Sequence, residues 1–147
     1  MPDTIWDAVM LAVGDRLAAV IPDVPLDRDR RAPVAEDQRP RMVIVLGETP
    51  APDYSIAATE AFHTIEILVA GHVQAATDSA TRIAINTLRA RVIVALSGYR
   101  APPILDVIEG AGETDLIADE DSARAAGSFQ QSFLVTAVSP AGSPYAP

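Results

Sequence analysis

The sequence predicts an α+β protein: an antiparallel sheet of about four strands with two helices packed on one face. Three observations predict it. Residues 57 to 71, AATEAFHTIEILVAG, alternate side chains at the two-residue period of a strand. Residues 4 to 21 and 78 to 98 repeat apolar side chains at helical spacing. The remaining strand-like runs lie near these in the chain, and consecutive strands joined by short polar loops are most simply antiparallel neighbours.

In the first helix Trp6, Val9, Met10, Val13, Leu17, Val20 and Ile21 form the apolar stripe. Thr4 is its expected N-cap and Asp7 takes the acidic capping-box place; Pro22 and Pro25 stop it. Residues 23 to 41 hold five arginines and five acids between prolines, with almost nothing apolar to bury, and read as an exposed arm. Residues 42 to 48, MVIVLGE, read as an interior strand, and PAPDYS at 49 to 55 as a loop. In the alternating strand Ala61, His63, Ile65, Ile67 and Val69 point one way, and Phe62, Thr64, Glu66 and Leu68 the other.

The second helix is expected to start near Asp78, as a cap or as a partner for Arg82. Ala80, Ile83, Ala84, Leu88, Val92, Ala95 and Leu96 make its apolar face, and Gly98 ends it. Ile85 and Ile93 broaden the apolar arc, which suggests contact on a second side, by helix one or another subunit. Residues 104 to 110 predict a third strand, 111 to 127 an acidic loop with at most a short strand at 115 to 118, and 128 to 138 a last strand. The expected organisation is one domain over residues 1 to 139 with a flexible tail at 140 to 147.

Net charge is −9, and all 11 basic residues are arginine. The acidic balance argues against a general nucleic-acid binder, which needs clustered cations, while leaving DNA free to slide past a repelling wall. With no cysteine, disulfides, thiolate catalysis and Cys-based zinc sites are excluded. The N-terminal stretch has acids where a signal peptide carries bases, and no apolar run reaches the roughly 20 residues of a spanning helix, so a soluble cytoplasmic product is expected.

Chemistry-bearing patterns are sparse. His63 and His72 fall on opposite faces of one strand and cannot share a metal without outside ligands; His63 reads as a satisfied sheet residue and His72 as a turn residue. Asp115, Asp119, Glu120 and Asp121 lack the glycine and closing glutamate of a calcium loop. Glu66 reads equally as a buried base or an outward strand residue. GAGETD at 110 to 115 lacks the third glycine of a nucleotide fingerprint. No catalytic, cofactor or metal residue is assigned.

The layout resembles the tail terminator, or tail completion, proteins of long-tailed phages and phage-like gene transfer agents. The resemblance runs through the opening helix IWDAVMLAVGDRLAAV, the Pro/Arg arm before MVIVLGE, the strand HTIEILVAGHV, the long helix, YRAPPILDV, an acidic stretch and SFQQSFLVTAV with a short tail. It implies a structural virion protein, not an enzyme, which caps the finished tail tube as a homo-hexameric ring, stops elongation and offers a surface for joining the head. The implied partners are other copies, the major tail tube protein and a head-completion or connector protein, with DNA only as passing cargo. No cofactor and no membrane are involved, and the implied location is a phage-like particle assembled in the bacterial cytoplasm.

Candidate interface residues are the arm arginines Arg28, Arg30, Arg31, Arg39 and Arg41, the spare apolar residues Ile85 and Ile93, and the acids Asp115, Asp119, Glu120 and Asp121. The arm reads either as a solvated, self-neutralised loop or as a strap that docks its arginines on acids of a neighbour. Two alternatives stand beside the ring subunit: a head-to-tail connector or other neck protein, and a small ligand-binding or enzymatic α+β domain using His63, Glu66 or the acidic loop.

Overall fold

The structure, a computed structural model, describes residues 2–30, 32–117 and 125–147. The first helix, α1 (Ile5–Val20), begins where the Thr4 hydroxyl accepts from Asp7 N and donates to the Asp7 carboxylate at 2.7 Å. This satisfies one of the orphan amides of the first turn. Its buried stripe is Ile5, Val9, Met10, Val13, Gly14 and Leu17. The second helix, α2 (Asp78–Leu96), starts at Asp78 as expected, but Thr77 is its N-cap, accepting from Ala80 N, and Asp78 is the first helical residue. Threonine there leaves Asp78 free to face the positive helix end. Gly98 adopts φ +72°, a left-handed conformation suited to glycine, and ends the helix as its sequence suggested.

Five strands form the main path of the sheet, β1 (Leu26–Arg28), β2 (Arg41–Leu46), β4 (Glu60–Ala75), β6 (Ala125–Pro140) and β5 (Ile104–Ile117), in that spatial order. A two-residue strand β3 (Asp53–Tyr54) pairs with β4 beyond the end of β2. The expectation of about four antiparallel strands is corrected to a six-stranded mixed sheet, because β1 joins β2 in parallel. The added strands are short, and neither carries an alternation long enough to recognise. The acidic loop is also shorter than expected. Strand β5 continues through a bulge between Glu109 and Gly112 as far as Ile117, and β6 starts at Ala125.

Helix α1 packs on β1, β2 and β6, and α2 on β4, β5 and β6. Between them and the sheet lies one core containing Val9, Val13, Leu17, Ile65, Ile67, Val69, Leu88, Val92, Phe133 and Val135. Full burial of each such side chain contributes about 1.5–3 kcal/mol. The alternation predicted for β4 and β6 is the one observed: Ile65, Ile67, Val69, Phe129, Phe133, Val135 and Ala137 are all buried on the helix side. The helix face is rotated from the predicted one. Ile85 is 1% exposed and in the core, whereas Ile83 is 59% exposed.

Buried Gln131 lies among these apolar residues. Its amide nitrogen donates to the carbonyls of Gly110, Ala111 and Ser132, and its oxygen accepts from Arg89 Nε at 3.0 Å. One side chain thus satisfies the carbonyls that the β5 bulge leaves unpaired and ties the bulge to α2.

Candidate assembly interface

The arm before β2 is folded onto its own chain. Arg30 Nη1 donates to Asp27 at 2.8 Å, and its other nitrogens reach Gln38 and the carbonyls of Ala32 and Pro33. Arg41 reaches the same Asp27 carboxylate at 3.0 Å, and Arg28 crosses Gly14 to reach Asp15 at 2.9 Å. The Arg30 hydrogen bond, with the charges of Arg41 and Arg30, holds the Asp27 carboxyl below the ordinary range. Val34 is 5% exposed, and Arg30, Ala32, Pro33 and Val34 lie over Val43, Ala70 and His72 on the sheet face away from the helices. Arg39 donates to Val34 O at 3.2 Å, and its Nη1 is buried without a hydrogen-bond partner.

Within the single chain Arg28, Arg30, Arg39 and Arg41 are engaged, as the self-neutralised reading of the arm expects, and docking on a neighbour would have to use what they have left. Acids and carbonyls close by in the chain reach them first, and holding an arginine in an internal fork leaves few donors for a partner. Arg31, Asp119, Glu120 and Asp121 lie outside the described residues. Asp115 is exposed on β5 opposite Ser128, in the paired hairpin and not in a loop. Ile85 is withdrawn from the candidate interface by its burial, and Ile93 is partly buried against the core.

His63, Glu66 and His72 are titratable groups of the central strand β4. His63 Nε2 lies 2.9 Å from the Ser139 hydroxyl, which donates to Ser143 O at 3.0 Å, and Trp6 meets the imidazole edge-on with centroids 6.2 Å apart. Burial lowers the His63 pKa. His72 is a mid-strand residue opposite Arg41 and Ser128, not a turn residue; burial and then the charges of Arg39 and Arg30 lower its pKa. The Glu66 carboxylate accepts from Glu48 N at 3.0 Å and from Ser132 Oγ at 2.9 Å, and these bonds lower its pKa. The segment expected to be a loose tail pairs with the N terminus: Ile5 N donates to Pro144 O at 2.8 Å and Ala146 N to Asp3 O at 3.0 Å. Among the described residues no cluster of three or more His, Asp or Glu side chains is placed to hold a metal ion. No helix there is long and apolar enough to cross a membrane.

Exposed apolar surface lies on both layers of the molecule. On the outer side of α2, Ile83, Ala90 and Val94 join Val20 and Ile21 of the α1 end along a shallow groove of about 630 Å³, bordered by Arg91. Val94 is 77% exposed and Val20 39%. Arg91 is held there by two bonds to Asp23, at 2.9 and 2.5 Å, which lower the Asp23 pKa. On the opposite side of the molecule the sheet face beyond the arm exposes Leu134 and Ile108, with Leu68 half-buried beside the arm and Leu134 directly between Glu66 and Ile108 in the register.

No protein-family model matches the chain, and no curated protein matches it. Among solved structures, a chain described as "Virion of native gene transfer agent (GTA) particle" is similar, with 15% sequence identity and a TM-score of 0.48, covering 92% of this chain and 96% of that one.

The helix stripe is not read from the sequence as an open surface, because one of its members is expected in the core. Ile83 was placed on the packed side of α2, and Val94 carried no assignment. The signal was present in the spacing: Ile83, Ala90 and Val94 recur at intervals of seven and four, a second stripe opposite the buried one.

Proposed function

We propose that this chain is a structural subunit of a phage-like particle that caps the completed tail tube as a ring, halts tube growth and offers the surface on which the head is joined. One observation carries the reading. A two-layer protein presents an exposed apolar stripe on its helix layer and an exposed apolar face on its sheet layer, while His63, Glu66 and Arg89 are used in internal hydrogen bonds. Exposed apolar surface on two sides suits a subunit that is covered by neighbours on both. The resemblance of the whole chain to tail terminators supports the same function.

The test uses purified protein and tail tubes assembled from the major tube protein, viewed by negative-stain electron microscopy. Ring-shaped density at one tube end, together with arrested elongation when the protein is added during assembly, is the expected result. Tubes that keep growing with bare ends at saturating protein would overturn the reading.

A further inference from the structure

The helix stripe and the open sheet face differ in charge as well as in direction. At about 3.6 residues per turn, Ile83, Ala90 and Val94 lie on the side of α2 opposite Ile85, Leu88 and Val92, which face the sheet. The stripe therefore points directly away from the sheet, and the open sheet face points the other way. Arginines flank the stripe: exposed Arg82, which makes no ion pair among the described residues, lies one turn before Asn86 on one side, and Arg91 lies on the other.

The sheet face carries the opposite charge. Residues directly opposite each other in an antiparallel pair share a face. The register thus places Glu66, Asp106, Glu113 and Asp115 on the same face as Leu134 and Ile108. None of these four acids is in an ion pair among the described residues. Arg30 of the arm approaches this face at its β2 end, where it is already bonded to Asp27.

From this arrangement we infer that the α2 stripe of one copy docks on the open sheet face of a second copy, with Ile83 and Val94 against Leu134 and Ile108 and the unpaired Arg82 against the sheet-face acids, Arg91 remaining bonded to Asp23 of its own chain. The pairing is heterologous. Stripe on stripe would set Arg82 against its own kind, and sheet on sheet would set four carboxylates against four, whereas stripe on sheet places Arg82 among unpaired acids around an apolar centre. Because the two surfaces lie on opposite sides of the same subunit, each docked copy presents a fresh surface to the next. Such head-to-tail contacts continue until they close into a ring. This inference rests on the proposed role as an assembly subunit and names the surfaces that role would use.

The chain has no cysteine, so single cysteines report one contact each. Val94→Cys and Leu134→Cys proteins are prepared separately, mixed and treated with a mild thiol oxidant such as oxidised glutathione. Both positions are exposed, 77% and 41%, so neither substitution disturbs the core, and thermal unfolding of each variant checks this. The expected product is the mixed 94-to-134 disulfide dimer, with chains of higher order when one protein carries both cysteines. Cross-links only between like variants, or none at protein concentrations above those of the tube-capping assay, would overturn the inference. In parallel, Val94→Asp is expected to weaken self-association at least about tenfold, since it sets a carboxylate against the acidic face; unchanged association would overturn it. Tubes capped by protein whose self-contact ignores both positions would leave the proposed function standing and remove this interface. A 94-to-134 contact in protein that never caps a tube would do the reverse.

Discussion

Replacing Gly71 by alanine tests whether side-chain packing or backbone propensity governs the centre of the sheet. Glycine inside a strand is normally a weakness, and alanine there gains about 0.5–1 kcal/mol by reducing the freedom of the unfolded chain. Here the structure predicts the opposite sign. Gly71 lies directly across from Phe129 on the helix side of the sheet, and the Phe129 ring, 2% exposed, occupies the space of the missing side chain. A β-carbon at Gly71 would fall 2.7 and 2.8 Å from Cζ and Cδ1 of Phe129 and closer still to Cε1. The ring is enclosed by core neighbours and cannot move aside without leaving its packed rotamer. Overpacking of this kind costs about 1–3 kcal/mol, so the net expectation is a loss of about 0.5–2 kcal/mol. In a chain of this size that is about 2–6 °C in Tm. Urea titration reads it as a lower midpoint at unchanged slope. The cause is isolated by Phe129→Leu: with the ring gone, Gly71→Ala is expected to be neutral or stabilising, a coupling seen only between residues in contact. A Gly71→Ala protein as stable as the parent, or equally destabilised in both backgrounds, would refute the reasoning.

The arm and the histidines yield two further predictions. Asp27→Asn removes the charge shared by Arg30 and Arg41, whose side chains and that of Asp27 are each less than one-third exposed, and is expected to cost about 1–2 kcal/mol. Limited proteolysis should then cut within residues 29–40 faster than in the parent, and an unchanged cleavage rate would remove Asp27 from its role as the arm's anchor. His63 and His72 both have pKa values lowered from 6.5 in the folded protein, so the unfolded chain takes up protons first as pH falls. Their contribution to stability is fully present above pH 6.5 and is lost as pH drops from there through the folded-state values. Urea midpoints measured between pH 7.5 and 5 should therefore fall less steeply in a His63→Gln, His72→Gln protein than in the parent, and parallel curves would contradict the burial argument.

The element types were legible in the sequence because they rest on local physics. Thr4 and Asp7 announce the start of α1, Gly98 the end of α2, and the alternation around Ile65 and Phe133 names the buried side of β4 and β6 before any fold is known. Ile83 and Ile85 differ by about 200° around α2 at 3.6 residues per turn, and strict helical spacing sets Ile85, not Ile83, on the face of Leu88 and Val92. Gly127 lies beneath Ile85 with no room for a side chain of its own, which lets Ile85 pack close to the sheet.

The composition of residues 23 to 41 was ambiguous: balanced charges describe a solvated loop and an internal network equally well. What decided it was the parallel addition of Leu26–Arg28 to β2, which brings Asp27 within reach of two arginines that are distant from it in neither charge nor sequence but are aligned with it only in the folded chain.

By itself, then, the sequence determined two helices, the long alternating strands and the absence of thiol chemistry, all consequences of residue type and spacing along the chain. The tertiary structure alone decided the parallel edge strand, the bulge filled by Gln131, and the inward Arg30 and Arg41. Each of these depends on which distant segments become neighbours, and a side chain's partner is a property of the fold before it is a property of the residue.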